Sequence, residues 1–132
     1  MKTVVKAIIK KKGKILLIKR SPNVKYYPGA WDLPGGNPEQ NEELNEAIKR
    51  EVKEETGLII DPIDIIWEKT AFVIDININF KLFSTRNIRG ELYISHEHSE
   101  YMLADVKEIK NLKTTEFIQM VIKNIPAIDI LP

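Results

Sequence analysis

The amino-acid sequence predicts a mixed β-sheet with helices packed on it, that is, an α/β or α+β sandwich. The first observation behind this prediction is the order of the patterned segments, which runs strands, helix, strands, helix. The second is size, because 132 residues suit one compact domain with a single core. The third is composition, since 43% hydrophobic residues supply enough apolar material for that core. We therefore expect one domain over residues 1–132.

The N-terminal third of the chain is predicted to form a β-hairpin followed by a long ordered loop. Residues 3–10 and 14–19 are rich in β-branched and aliphatic side chains, and Gly13 near their junction can adopt a positive φ. Residues 21–41 contain four prolines and three glycines, which indicates a loop. A loop of this length in a small domain is often functional. Four side chains give it something to bury: Tyr26, Tyr27, Trp31 and Leu33.

Two helices and several strands are predicted in the rest of the chain. Residues 42–56 are mostly strong helix formers, and Gly57 supplies a left-handed stop. Residues 114–125 have an amphipathic pattern, with Thr114 or Thr115 as the N-cap. Apolar or alternating segments predict the strands: 58–60, 63–69, 71–84, 90–95 and 100–105.

Charge and composition exclude several kinds of function. The chain has 20 basic and 19 acidic residues, so no general attraction draws it to nucleic acid or a membrane. It contains no cysteine, which excludes disulfides, thiolate zinc sites and cysteine nucleophiles. Lysines interrupt every apolar run near the N-terminus, and no stretch approaches membrane-spanning length. These features predict a cytoplasmic protein that holds any anionic ligand in a local site.

The first helix carries three glutamates in five residues. On a helical wheel, Glu51 and Glu55 continue the apolar stripe and Glu54 lies at its edge, while Thr56 falls on the solvated side. The stripe itself is formed by Ala47, Ile48 and Val52. One interpretation is a charged helix end, because exposed like charges cost only about 0.2–0.5 kcal/mol. The other is a cation site, because crowded inward carboxylates must raise one another's pKa or bind a cation such as Mg²⁺.

The spacing of the helix residues and the preceding loop favours the second interpretation. Residues 36–58 follow the pattern G-x5-E-x7-R-E-V-x-E-E-x-G-L, which resembles the Nudix box at every specified position. The nine specified residues are Gly36, Glu42, Arg50, Glu51, Val52, Glu54, Glu55, Gly57 and Leu58. The family resemblance extends beyond the box to the flanking segment AWDLPGG, to residues 97–101 and to the length of the chain. Asn41 stands where many members have glycine, and asparagine tolerates the left-handed φ.

The resemblance implies a Nudix-type α/β/α sandwich with a mixed β-sheet and a metal-dependent hydrolase. In this family, Mg²⁺ or Mn²⁺ is held by the glutamates that match Glu51, Glu54 and Glu55, often with the carbonyl that matches Gly36. Arg50 would orient the helix carboxylates. The general base would be a box glutamate such as Glu54 or a loop glutamate. On the loop, we expect Glu97 rather than Glu100, and a merely solvated acid is the alternative for each.

Candidate substrate contacts lie outside the box. Lys19 and Arg20 precede the long loop and are expected to meet phosphates, unless they are simply a solvated strand end. Tyr27 and Phe80 are candidates to stack on a base, as are Tyr26 and Phe72. By contrast, Trp31 is expected to anchor the loop in the core. His98 is expected to be structural or to contact substrate, because no zinc-type ligand pattern accompanies it.

The resemblance implies a nucleoside diphosphate linked to another moiety as the substrate. The short chain is most similar to MutT-type nucleoside triphosphate pyrophosphatases. ADP-ribose or nucleotide-sugar pyrophosphatases and a partly matched CoA-type pattern are the alternatives. A non-catalytic nucleotide sensor is the alternative from another class, and nucleic-acid binding is disfavoured by the charge balance. The oligomeric state could be monomer or homodimer. The apolar tail Ile125–Leu131 could cover the core or contact a partner.

Overall fold

The structure, a computed structural model, describes residues 1–124, so the predicted roles of the tail Ile125–Leu131 lie outside the described residues. The eight strands in this part of the chain are β1 (Lys2–Ile8), β2 (Lys10–Lys11), β3 (Lys14–Arg20), β4 (Trp31–Asp32), β5 (Gly35–Gly36), β6 (Ile59–Val73), β7 (Ile76–Arg89) and β8 (His98–Ala104). The three helices are α1 (Leu44–Thr56), α2 (Val106–Ile109) and α3 (Glu116–Ile122).

The strands form two sheets. The first has the order β5-β1-β7-β6 and is mixed, because β1 runs parallel to β7 while the other pairs are antiparallel. The second is antiparallel and places β2, β4 and β8 around β3. Side chains of β1 enter two separate cores: Val5 and Ala7 pack with α1, whereas Ile8 packs with α3. The predicted sandwich of helices on both sides of a mixed sheet is therefore confirmed.

The predicted N-terminal hairpin is correct only at its turn. Lys10 and Lys11 pair with β3, and Gly13 has the expected positive φ of 79°. The preceding residues of β1 instead cross into the first sheet and pair with β5 and β7. The apolar run of residues 3–10 therefore contributes strands to two different sheets. Its pattern of apolar and polar residues does not indicate where the chain passes from one sheet to the other.

The prediction of a single strand over residues 71–84 is wrong. A two-residue turn at Ile74 and Asp75 separates β6 from β7, and both residues have left-handed φ values, 49° and 61°. Such a turn suits a hairpin because its twist matches that of the flanking strands. The sequence Ile-Asp lacks the Asn-Gly or Asp-Gly signal, and the alternation of isoleucines continues through it.

The segment 90–95 was predicted as a strand but has no regular structure. Its backbone hydrogen bonds go to the end of α1: the Tyr93 N–H donates to the Thr56 carbonyl, and the Ser95 N–H donates to the Glu55 carbonyl. Because helix-end carbonyls lack partners within the helix, this segment satisfies them. The predicted strand at 100–105 is confirmed as part of β8.

One of the two C-terminal helices matches the prediction, with a different length, and the other is new. The predicted helix 114–125 is present as α3, and the Thr115 side chain accepts a hydrogen bond from the Ile118 N–H, which confirms it as the N-cap. The short helix α2 was not predicted. It is held by a capping box in which Asp105 and Glu108 each accept a hydrogen bond from the other's backbone N–H.

The long loop is ordered as expected. It contains β4, which pairs with β3, and β5, which pairs with β1. Trp31 and Leu33 are buried, so the interpretation of Trp31 as a loop anchor is supported, whereas Tyr26 is exposed. Asn41 has a φ of 63°, as its tolerance of the left-handed region allows. The loop therefore delivers Gly35 and Gly36 to the edge of the first sheet beside α1.

Helix α1 places its residues largely as the wheel predicts. Ala47, Ile48 and Val52 are buried, and Gly57 ends the helix with a φ of 76°. Thr56 is also buried, which corrects its predicted solvated position. Its hydroxyl donates to the Val52 carbonyl at 2.7 Å and accepts from the Leu58 N–H at 3.2 Å, so the polar group is satisfied locally.

Candidate active site

Where β5 meets α1, the backbone of the two glycines lies against glutamate side chains of the helix. The Gly35 N–H donates a hydrogen bond to Glu55 Oε1 at 2.7 Å. A Cβ added at Gly36 would lie 2.5 Å from the carboxylate carbon of Glu51, so only glycine fits without moving that side chain. The inward glutamates of α1 are thus packed directly on the glycine strand.

Glu55 is the most deeply placed of the three glutamates, with 14% of its side chain exposed. Burial raises its pKa to about 8, although the Lys6 charge and the Gly35 N–H act in the opposite direction. The nearest basic partner is His98, whose Nε2 lies 3.8 Å from Glu55 Oε2. Burial, together with Lys6 and Arg20, lowers the pKa of His98 to about 4, so near pH 7 this imidazole is neutral and does not compensate the carboxylate.

Glu51 and Glu54 differ in exposure. Burial raises the pKa of Glu51, while the Arg50 guanidinium opposes this shift. The Glu54 side chain is 58% exposed and lies at the mouth of the site. The wheel prediction that Glu51 and Glu55 face inward is therefore confirmed by the structure.

Arg50 connects the helix to the preceding loop. Its Nε and Nη2 donate to the two carboxylate oxygens of Glu42 at 2.8 and 3.0 Å, and Nη2 also donates to the Asn37 carbonyl at 3.1 Å. Its Nη1 donates to Glu51 at 3.0 Å and to Glu54 at 3.3 Å. The hydrogen bonds from Arg50 lower the pKa of Glu42 to about 2. One planar guanidinium therefore orients three carboxylates.

A polar cleft of about 610 Å³ opens in front of these groups. It brings together most of the predicted site: its lining includes Arg20, Gly36, Glu51, Glu54, Glu55 and Glu97. Lys19 is not among the lining residues. Its ammonium lies 3.3 Å from Glu100 and 5.8 Å from the centre of the Trp31 ring. Of the two loop glutamates, Glu97 is therefore the one at the cleft.

A second cavity of about 200 Å³ adjoins the cleft and shares four lining residues with it, namely Lys2, Val4, Lys6 and Arg20. Tyr27 and Phe80 line this cavity. The Tyr27 hydroxyl donates to Glu116 at 3.1 Å, and burial is the main reason that its pKa is raised. Phe80 is buried in the core, with its ring 5.0 Å from that of Phe117. The cavity thus has largely apolar walls.

Two residues of the cleft region were missed from the sequence. Lys6 and Asp32 form a buried ion pair of 2.8 Å beside both cavities. The available signal was the lysine within the apolar run of residues 3–10. His98, which is expected to be structural or to contact substrate, is buried against Glu55, and its Nδ1 lies 3.3 Å from the Ser95 hydroxyl.

The donor set fits a hard divalent cation. Glu51 and Glu55 are both disfavoured as anions by burial, and a bound cation reverses that preference. Carboxylate and carbonyl oxygens are the ligands that Mg²⁺ prefers. Within residues 1–124, no three acidic or imidazole groups already converge on one ion position. Arg50 holds the carboxylates of Glu51 and Glu54 by hydrogen bonds in this arrangement.

The comparison that decides the family covers all of the described residues. Residues 1–124 match the family model described as the NUDIX domain. The chain belongs to the NUDIX family. This confirms the resemblance drawn from the box, and NUDIX hydrolases in general depend on divalent metal ions and act on nucleotide-type substrates.

Solved NUDIX structures share the fold over nearly their full length. The MutT protein from Methanosarcina mazei is 27% identical with a TM-score of 0.86, and the alignment covers 98% of this chain and 96% of that one. The ORF135 protein of E. coli is 25% identical with a TM-score of 0.84, covering 98% and 91%. The mixed sandwich is therefore the NUDIX fold.

Curated relatives match over a shorter stretch. The ADP-ribose pyrophosphatase of Methanocaldococcus jannaschii is 54% identical over 55 residues, which is 42% of this chain and 31% of the relative. The nucleoside triphosphatase NudI of Salmonella agona is 43% identical over 56 residues, or 42% and 40%. The matched stretch thus spans less than half of either relative. Within residues 1–124 of this NUDIX chain, no helix is long and apolar enough to cross a membrane.

Proposed function

We propose that this NUDIX protein hydrolyses a pyrophosphate bond in a nucleoside diphosphate linked to another moiety. The observation that carries the proposal is the pair of inward glutamates, Glu51 and Glu55, whose largely buried carboxylates line a cleft of about 610 Å³. Burying such groups is costly unless a cation or a proton compensates them. A cleft lined by carboxylates and by Arg20 suits a metal-bound, negatively charged phosphate chain.

Magnesium or manganese would be held by Glu51, Glu54 and Glu55, with the Gly36 carbonyl as a further oxygen ligand. When bound, such an ion neutralises phosphate charge and lowers the pKa of an attacking water. Arg50 keeps Glu51 and Glu54 within reach of the ion by hydrogen bonds at 3.0 and 3.3 Å. This role is that of a positioning residue.

The other residues of the cleft bind substrate and move the proton. Arg20 lines both cavities and donates its Nε–H to the Tyr26 carbonyl at 2.9 Å, which leaves other guanidinium donors for phosphate oxygens. Glu97 is exposed at the cleft and would accept the proton of the attacking water. Glu54 is the second candidate for this base, because it also lines the cleft.

The second cavity would receive the nucleoside portion. Tyr27 and Phe80 line it, and it joins the cleft through Arg20 and Lys6, so one ligand can extend from apolar walls to the carboxylates. Nucleoside triphosphates are the preferred class, supported by the full-length likeness to a MutT protein. The ADP-ribose pyrophosphatase relative favours ADP-ribose or a nucleotide sugar as the alternative, with CoA-type substrates behind it.

A nucleotide panel tests the proposal, with Glu97→Gln and Glu100→Gln as a matched pair. Both substitutions remove one loop carboxylate, but Glu100 pairs with Lys19 away from the cleft. We expect Mg²⁺-dependent release of phosphate or pyrophosphate by the wild type. Glu97→Gln should slow turnover by about 10²–10⁴-fold, as loss of a general base does, and Glu100→Gln should leave the rate near that of the wild type.

The alternative from another class is a NUDIX-fold sensor that binds nucleotides without cleaving them. Wild-type protein that binds a nucleotide, measured by calorimetry, yet releases no product from any member of the panel would support the sensor and refute the enzyme. Equal rates for the Glu97→Gln and Glu100→Gln variants would instead retain the enzyme and remove Glu97 as the base. In that case Glu54 becomes the candidate.

A further inference from the structure

A buried ion pair lies where the cleft meets the second cavity. Lys6 Nζ donates to Asp32 Oδ2 at 2.8 Å and to the Leu33 carbonyl at 3.2 Å. The two side chains are only 11% and 7% exposed. Lys6 lines both cavities, and Asp32 lines the smaller one. The Lys6–Asp32 pair therefore places charged groups at one end of the smaller cavity, whose other walls are mainly apolar.

The position of Lys6 on β1 is unusual for a lysine. Its strand neighbours on the same face, Val4 and Ile8, pack into the apolar core beside α3. Burying an ion pair rarely stabilises a protein more than an apolar pair of the same volume would. A charged pair at this position is therefore better explained by what it contacts in the cavity than by stability.

The hydrogen-bonding capacity of the pair is unequal. An ammonium has three donors, and the structure gives Lys6 two hydrogen-bond acceptors among residues 1–124. Lys6 Nζ also lies 6.0 Å from the centre of the Phe117 ring, a weaker contact that a hydrogen-bond acceptor on a ligand can replace, so one N–H is left for a ligand. Both Asp32 oxygens are already engaged, since Oδ1 accepts from the Leu33 N–H at 2.8 Å and Oδ2 accepts from Lys6. Among the other polar groups that line this cavity, Tyr27 and Glu116 are hydrogen-bonded to each other, and Lys2 and Arg20 also line the cleft that it joins. The Lys6–Asp32 pair thus offers a donor.

We propose that Lys6 selects nucleotides whose base carries a carbonyl oxygen, rather than an amino group, at purine C6 or pyrimidine C4, as guanine, uracil and thymine do. This inference rests on the proposed function, in which the cavity receives the nucleoside. A carbonyl oxygen accepts the free N–H of Lys6. An exocyclic amino group at the same place would point its own N–H groups at the Lys6 N–H, so that a buried donor has no acceptor. Polar sites reject the wrong analogue in this way. Asp32 fixes the ammonium in place and is a positioning residue.

Relative rates within pairs of similar nucleotides provide the test. We expect the wild-type kcat/KM to be about tenfold or more higher for GTP than for ATP, and likewise higher for UTP than for CTP. The double variant Lys6→Met with Asp32→Asn removes the donor without leaving either partner as a buried unpaired charge. Both ratios should then fall toward one. Because the two nucleotides of a pair use the same carboxylates and the same fold, general damage to either cancels in the ratio.

Two further measurements keep the inference falsifiable. Lys81→Met is the matched control, because it also removes a lysine from an ion pair, with Glu68 at 2.6 Å, but outside both cavities; it should leave the ratios unchanged. Dissociation constants for GMP and AMP, measured by calorimetry on the wild type, report the same preference without turnover and without a variant. Tighter binding of GMP is expected.

The outcomes separate this inference from the proposed function. Wild-type ratios near one, equal affinities for GMP and AMP, or ratios unchanged in the double variant each overturn the role of Lys6 while leaving hydrolysis intact. Absence of turnover with every nucleotide refutes the proposed function, and the monophosphate affinities then decide the role of Lys6 alone.

Discussion

At the scale of single residues, the burial of Glu55 makes its ionisation depend on what it contacts. Its pKa is raised to about 8 because burial outweighs the opposing Lys6 charge and Gly35 hydrogen bond. A carboxyl group with a raised pKa holds a proton in the folded state at pH values where the unfolded chain has lost it. Its contribution to stability is therefore present below the ordinary value of 4.5 and is lost as pH rises to about 8.

His98 has the opposite pH dependence over part of this range. Its pKa is lowered from 6.5 to about 4, so its contribution to stability is present above 6.5 and is lost as pH falls through about 4. Between about 4.5 and 6.5 the two dependences offset each other. A net loss of stability from Glu55 should therefore appear between pH 6.5 and about 8.

We predict that, with a chelator present, wild-type protein loses about 2 kcal/mol of unfolding free energy between pH 6.5 and 8. Glu55→Gln removes the titrating group and should abolish this loss, because glutamine remains neutral throughout. Urea denaturation at several pH values measures it. Glu54→Gln is the control, since it leaves Glu55 in place and should keep the wild-type profile. The same loss in Glu55→Gln would show that another group causes it.

At the scale of elements, the contact between β5 and α1 brings the glycine strand against the helix carboxylates. The helix itself could be predicted because its signals are local: strong helix formers, a periodic apolar stripe and Gly57. The β6–β7 hairpin could not, because its turn residues, Ile74 and Asp75, carry no turn signal. Segment 90–95 was misassigned because its partners are helix-end carbonyls, a tertiary contact that strand propensity does not report.

The same contact predicts a metal-binding defect for Gly36→Ala. The added Cβ would lie 2.5 Å from the Glu51 carboxylate carbon, and this neighbour is the movable end of a side chain, so the carboxylate should shift while the fold persists. We expect Mn²⁺ affinity, measured by calorimetry, to fall by about 10–100-fold, the range for displaced ligand support.

Gly13→Ala is the matched control for this substitution. Its Cβ would meet nothing within 4 Å, but the φ of 79° strains an alanine. We expect a loss of about 1 kcal/mol in thermal denaturation, with unchanged Mn²⁺ affinity. If Gly36→Ala binds Mn²⁺ as the wild type does, the close approach of Gly36 to Glu51 has no part in holding the ion.

At the scale of the whole molecule, the candidate site combines one continuous motif with groups from distant strands. The motif lies within residues 36–58, so its spacing alone identified the carboxylates and Arg50. Lys6 and Asp32 are 26 residues apart, and they meet because β5, which follows β4 closely, pairs with β1 and sets Gly35 opposite Lys6. Such pairs are invisible to patterns read along the chain. This is why the candidate metal ligands could be predicted from the sequence, whereas Lys6 and Asp32 could not.

The central claim is that the inward glutamates hold the divalent ion with which the chain cleaves a pyrophosphate. The most direct test compares wild type and Glu55→Gln for Mg²⁺-dependent turnover of the preferred nucleotide and for Mn²⁺ binding on the same samples. We predict that Glu55→Gln folds, binds Mn²⁺ more weakly, and loses about 10²-fold or more in kcat/KM. Unchanged turnover and unchanged Mn²⁺ affinity in the folded variant would contradict the claim.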